Sequence, residues 1–266
     1  MGQYAYAVEL YSVKDALAKN MPDTLKKIKA MGYIAVEFAG NFVHTAAEVR
    51  RALDEAGLIC CGWHTPVEYL ADDRFEATVA YFKTVGNEHV IIPGLPEEMT
   101  GSREAWLQTA ALFNQYAARL AERGLRLGYH NHVGEVALYA GSRDCPLTVF
   151  GDNTDASVII QMDNGHVLNG RGYPMLDLIR RYPGRFTSVH LKPYSLAKGA
   201  SDPEAGYQTM IGEDDVPWKE FMALCRSIGG TRWYIVEYES PELYPELEGV
   251  ERCLNALRDM EKRGVI

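Results

Sequence analysis

The chain contains no apolar run approaching the roughly 20 residues of a membrane span, so no membrane association is expected. Cysteine is scarce: Cys60, Cys61, Cys145, Cys225 and Cys253 are the five among 266 residues. Their spacing is not that of a zinc site, and an odd number argues against a disulfide framework. Reduced thiols in a cytoplasmic protein are expected. Basic charge is also in deficit, with 27 Lys and Arg against 36 Asp and Glu and a net charge of -9. Phosphate binding needs a basic face, so nucleic acid is not expected as a partner. No Gly-x-Gly-x-x-Gly turn follows the first strand-like run, which removes the usual signature of dinucleotide binding. There is no Gly-rich phosphate loop near the last two strand-like runs. Met1-Gly2-Gln3-Tyr4 lacks a basic region and enters a strand-like segment at once, so no signal peptide is expected. With no linker-like or low-complexity stretch, residues 1–266 are expected to form one domain.

What is present is an alternation. Strand-like runs at 4–12, 33–39, 58–64, 89–93, 125–132, 158–163, 186–191 and 233–238 are each followed by a helical pattern. The clearest helices are a segment after Pro22, a segment from Thr45 to Gly57, Phe75–Gly86, Ser102–Gly124 and Leu247–Arg263. Gly32, Gly57, Gly86, Gly124 and Gly229 punctuate the helix-to-strand turns. Strands rich in Val and Ile, apolar without strict alternation and separated by helices, argue for a parallel sheet covered by helices. Eight units in this length fit a closed (β/α)8 TIM barrel of the α/β class.

In such barrels the chemistry lies at the C-terminal ends of the strands. Glu37, His64, His130, His132, Asp163, His166, His190, Lys192, Glu237 and Glu239 are therefore expected on one face, whereas His89 opens its strand and falls at the opposite end. Strand period two lets Asp163, His190 and Glu237 point inward together. Two carboxylates and an imidazole suit one divalent metal (Mn, Mg, Co or Zn), and they balance its charge. A lone Asp, His or Glu at a strand end is ordinarily just hydrogen-bonded; four at successive strand ends call for a ligand set. The fourth position is open between His130 and Glu135, with His130 then contacting substrate. His132 and His166 either support the ligands by hydrogen bonds or touch substrate. His64 is either a contact for a substrate hydroxyl or a histidine bonded to backbone. Lys192 would stabilise a developing enolate or form a salt bridge. Glu37 would contact substrate, act as a base, or pair with a cation. Trp63, Phe38 and Trp218 offer apolar faces for a sugar ring, although aromatics at strand ends are also ordinary packing.

Glu9-Leu10-Tyr11-Ser12-Val13-Lys14-Asp15, Met31-Gly32-Tyr33-Ile34-Ala35-Val36-Glu37-Phe38, Tyr129-His130-Asn131-His132, His190-Leu191-Lys192 and Val236-Glu237 resemble, in order and spacing, the xylose isomerase-like TIM barrels. This is the sugar phosphate isomerase/epimerase or endonuclease IV-like superfamily, and the resemblance covers essentially the whole chain. Ile211-Gly212-Glu213 is similar to the family's loop ahead of the seventh helix. The resemblance implies a divalent metal held by Glu, Asp, His and Glu. It also implies proton abstraction next to a carbonyl in sugar isomerisation, epimerisation or keto-inositol dehydration. Pairing through outer helices is common in such barrels. Two departures stand out: His130 replaces the first carboxylate, and Pro193 replaces the Asp that usually follows His-x-Lys. The first weakens a two-base epimerase and favours a lyase or a one-face proton transfer.

The leading expectation is a metal-dependent isomerase- or epimerase-type enzyme acting on a sugar, keto-sugar or polyol. His132 or Glu237 would be the base and Lys192 the enolate stabiliser, with Glu37, His64, His166 and Trp63 around the substrate. The alternatives are an inosose dehydratase of the same fold, a phosphodiesterase opposed by the acidic charge, and a non-catalytic sugar-binding barrel or partner-dependent subunit.

Overall fold

The computed structural model describes residues 4–266; the reading of Met1, Gly2 and Gln3 as free of a signal peptide lies outside the described residues. Eight parallel strands close into a barrel in sequence order. They are β1 (Tyr6–Glu9), β2 (Ala35–Ala39), β3 (Ile59–His64), β4 (His89–Ile92), β5 (Arg126–His130), β6 (Ile159–Asp163), β7 (Ser188–Leu191) and β8 (Trp233–Val236). Pairing of Tyr6, Ala7 and Val8 with Tyr234, Ile235 and Val236 joins β1 to β8 and leaves the sheet without an edge.

Alternation along each strand separates two apolar populations. Inside, Ala7, Ala35, Cys61, Trp233 and Ile235 form a small cluster. Outside, residues such as Val8, Val36, Val90, Leu127, Ile160, Val189 and Val236 join the larger core under the helices. Strand ends that close on one axis need small inward residues, and Gly128 shows how little room there is. A Cβ there would meet Ile91 Cδ1 at 2.6 Å and Ile159 Cβ at 2.9 Å.

The expected helices form with recognisable ends. Thr45 and Glu48 make a reciprocal capping box before Ala46–Ala56, and Ser102 caps Arg103–Ala121 through the Ala105 N–H. Arg258 donates to the carbonyls of Met31 and Gly32, tying the last helix, Glu246–Lys262, to the helix Met21–Met31. Gly32, Gly57, Gly86 and Gly124 have positive φ as the punctuation predicts. The seventh helix departs from expectation: Trp218–Leu224 widens into a π turn over Cys225–Gly229, and Gly230 rather than Gly229 takes the left-handed position. The short helices Lys14–Lys19 and Asn164–Gly170 were not anticipated, being too brief to show a period. His89 is buried at the start of β4, at the end opposite the polar cluster. All five cysteines are buried and unpaired. No helix among the described residues is long and apolar enough to cross a membrane.

Gly128→Ala is expected to lower stability by about 1–3 kcal/mol through overpacking. A urea midpoint equal to that of the unmodified protein would contradict so tight an interior.

Candidate metal centre

The inward residues at the strand ends form two stacked layers. The lower layer is a buried hydrogen-bond network. Gln161 donates through Nε2 to Glu37 Oε1 (3.0 Å) and to Ser188 Oγ (2.9 Å). Its Oε1 faces His64 Nε2 at 2.7 Å and His130 Nδ1 at 3.0 Å. An amide oxygen only accepts, so both facing nitrogens carry protons, an assignment made from the network itself. His130 is thereby left with Nε2 as its free lone pair.

Glu37 is fully buried, and the backbone makes room for it. The register between β2 and β3 slips at Val36/Glu37, setting Gly62 opposite Glu37, where a Cβ would lie 2.0 Å from its carboxylate. Burial pushes the Glu37 carboxyl upward, but His64 and His190 outweigh it and hold it below the usual range. Glu9, beside this layer, is pushed up to about 8 by burial, and its Oε2 is buried without a hydrogen bond.

The upper layer borders the cavity through His130 and Glu237, with Asp163 and His190 fully buried behind them. His130, Asp163, His190 and Glu237 each offer a ligand atom, all within 4.8 Å of one another. Asp163 Oδ1 caps the helix Asn164–Gly170 by accepting from the His166 N–H at 2.8 Å. Its Oδ2 is buried with no hydrogen bond, 3.3 Å from Lys192 Nζ. His190 belongs to both layers, with Nε2 at 2.7 Å from Glu37 Oε2 and Nδ1 at 2.6 Å from Glu237 Oε2. This is the carboxylate–imidazole arrangement that orients a metal-binding histidine. Burial pushes His130 well below its usual pKa, with His190 and His64 adding to the effect, so it is neutral and able to ligate. Burial likewise pushes Asp163 up, to about 7, against the pull of Lys192. Two carboxylates and two imidazoles, with one carboxylate oxygen that accepts no hydrogen bond, fit a divalent cation of the Mn, Mg, Co or Zn type.

Lys192 lies along the wall beside this cluster. Asn164 clasps its backbone from both sides, accepting from its N–H and donating to its carbonyl, each at 2.9 Å. The ammonium pairs with Glu239 (2.6 Å) and stands 3.3 Å from Glu237 Oε1. Burial disfavours the charge, but Asp163, Glu237 and Glu239 hold its pKa well above the usual value. His166 Nε2 lies 3.0 Å from the same ammonium, and its Nδ1 lies 2.6 Å from Tyr207 OH. Since Lys192 must donate, Nε2 accepts, and Nδ1–H donates to the Tyr207 oxygen, which Asn169 Nδ2 also approaches at 2.9 Å. The Tyr207 hydroxyl proton is then free to point into the cavity. Burial raises the Tyr207 pKa, so the proton is present at neutral pH.

These layers floor a cavity of about 1100 Å³ that Tyr11, His64, His130, His132, His166, Lys192, Tyr207, Glu237 and Glu239 help to line. His132 is exposed on its wall. Two expectations about substrate contacts change. Glu37 lies beneath the floor and does not line the cavity. Trp63 does not line it either: the parity that turns His64 inward turns Trp63 outward, where it stacks on Phe38 (4.5 Å, 12°) and donates to the Gly40 carbonyl. Trp218 is buried with its indole N–H on Asp214. Of the two residues weighed for the fourth corner, His130 sits in the cluster. Glu135 turns aside, accepting from Tyr129 OH at 2.7 Å and from the His132 N–H at 3.0 Å. Sequence reasoning missed the roles of Gln161 and Tyr207. The parity of Gln161 with Asp163 was a signal; Tyr207, in a long loop after β7, carried none.

A parallel eight-stranded barrel with an acid–imidazole centre at its strand ends is the architecture of barrel enzymes. The chain belongs to the xylose isomerase-like TIM barrel family, whose description matches residues 25–260. It is 24% identical to the rhizopine catabolism protein MocC of Rhizobium meliloti, covering 81% of this chain and 73% of that one. It is also 24% identical to an inosose dehydratase of Klebsiella pneumoniae, covering 86% of each. Among solved structures, a sugar phosphate isomerase/epimerase from Parabacteroides distasonis superposes with a TM-score of 0.77 at 22% identity, covering 95% of this chain and 97% of that one.

Glu37→Gln is expected to weaken Mn²⁺ binding by about 10–100-fold, because the buried carboxylate orients His190. Equilibrium dialysis measures this, and unchanged affinity would show that the lower layer does not support the upper one.

Proposed function

We propose that this chain is a divalent-metal-dependent enzyme acting on a polyhydroxylated ketone, a keto-sugar or inosose, by removing the proton next to the carbonyl. The observation that carries the reading is a buried Asp163 Oδ2 that accepts no hydrogen bond, in a cluster with His130, His190 and Glu237. These four residues would hold the metal. A bound cation supplies Lewis-acid polarisation of the carbonyl.

The chain's own residues then divide the work. His132, on the cavity wall, is the base and takes the proton. Glu237, engaged by His190 and Lys192, is the weaker candidate for base. Lys192 stabilises the negative charge that develops on the carbonyl oxygen. His64 bounds the site and contacts substrate hydroxyls; His166 lines it while holding Lys192 and Tyr207 in place, and Glu37 acts from below through His190. Tyr207, with its proton free toward the cavity, donates to a departing β-hydroxyl. The C–H electron pair becomes the new C=C bond, the C–O bond breaks, and the hydroxyl leaves as water.

Elimination is preferred over epimerisation because His130 stands where a second carboxylate base would be needed, and the relatives named inosose dehydratase support that choice. Isomerisation of the same enolate is the second reading, supported by the fold shared with the sugar phosphate isomerase/epimerase. We further take residues 1–266 as one domain working in the cytoplasm on small carbohydrates, in keeping with five unpaired buried thiols.

Mn²⁺-loaded protein incubated with a panel of inososes and keto-sugars is expected to yield, by mass spectrometry, a product lighter by one water. A product of unchanged mass would replace elimination by isomerisation. Asp163→Asn is expected to lose stoichiometric metal and to cut activity by about 100-fold or more. An Asp163→Asn variant with full metal content and rate would remove the metal assignment. Tyr207→Phe is expected to lower kcat by about 10–100-fold with metal content intact; an unaltered kcat would exclude Tyr207 as the acid.

A further inference from the structure

The cavity is chemically lopsided. Apart from His64 at the end of β3, the charged and imidazole groups that serve the reaction stand on the side built by the ends of β5–β8, together with Tyr207. The facing side is built by the loops after β3, β4 and β5, and there Glu68 is the one charged lining residue among Pro66, Val67, Pro93, Leu95, Pro96 and Val133. Small-molecule sites run to about 300–1,000 Å³, so a cavity of about 1100 Å³ holds far more than one six-membered ring.

A free polyol filling this space would press hydroxyls against prolines and aliphatic side chains. Each hydroxyl stripped of water without a partner opposes binding. An apolar group placed there gains instead from leaving water. The wall is also preformed. Thr65 N–H donates to the Ile91 carbonyl (2.7 Å), Tyr69 N–H to Pro66 (3.1 Å) and Met99 N–H to Pro96 (2.9 Å). Three prolines and these backbone bonds leave little ordering to be done on binding.

We propose that the substrate is a polyhydroxylated ketone ring carrying a bulky apolar substituent, with the ring over the His130–Asp163–His190–Glu237 cluster and the substituent against the Pro66–Val67, Pro93–Pro96 and Val133 wall. This rests on the proposed carbohydrate reading of the polar half and adds the class of group that the other half selects.

The test is calorimetric titration of Mn²⁺-loaded protein with an inositol and with its mono-O-benzyl ether, neither of which has the carbonyl needed for turnover. The benzyl ether is expected to bind at least about tenfold more tightly than the parent. In Val67→Ser/Leu95→Ser that advantage is expected to fall below about threefold, while affinity for the parent is unchanged. A benzyl ether that binds no better than the parent to the unmodified protein overturns the proposal. So does an advantage that survives the double substitution in full. Repeating the titrations after metal removal separates the two readings: parent binding indifferent to Mn²⁺ counts against the metal-centred function, while the benzyl advantage still decides this one.

Discussion

His190 is held between two buried carboxylates, with Glu37 below on Nε2 and Glu237 above on Nδ1. Charges so deep in a protein persist only when each is matched by a partner. The opposed pulls keep the imidazole protonated despite its burial, which alone would drive the proton off. A divalent cation offers the upper carboxylates the same positive charge in another form. One ring thus couples the buried Glu37–Gln161 network to the acid–imidazole cluster that borders the cavity.

Hydrogen-bond direction follows from that coupling. Glu37 accepts from Gln161 Nε2, so the Gln161 oxygen faces His64 and His130. His130 in turn is left with one nitrogen free. On the other wall, the fixed donor is Lys192, which decides the tautomer of His166 and frees the Tyr207 proton. The two hydrogen-bond chains face one another across one cavity, with a free imidazole lone pair on one side and a free hydroxyl proton on the other.

The barrel was legible because its signals are local and repeat. Thr45 and Ser102 announce helix starts, Gly32, Gly57 and Gly86 their ends, and apolar strand cores fall between them. The grouping of Asp163, His190 and Glu237 was legible for a related reason: parallel strands in one closed sheet bring their ends together whatever lies between them. Trp63 and Phe38 stayed open between sugar platform and ordinary packing, since the outward sense of Trp63 depends on a one-residue slip between β2 and β3. Gln161 passed as an ordinary strand residue because an uncharged amide shows its importance only through what it touches. Tyr207 lies 44 residues beyond Asp163 in sequence, on a loop without period or motif, so its approach to His166 is a purely tertiary event.

Sequence alone therefore determined the alternation of strand and helix, the face on which acidic and imidazole groups gather, and three of the four clustered ligand candidates. Those properties depend on residue type and spacing, which the chain carries in one dimension. Tertiary structure decided the rest: the layer to which Glu37 belongs, the turning away of Glu135, the proton positions on His130 and His166, and the apolar wall facing the charged one. Each depends on distances between residues far apart in the chain, and on which partner a buried polar atom finds once water has left.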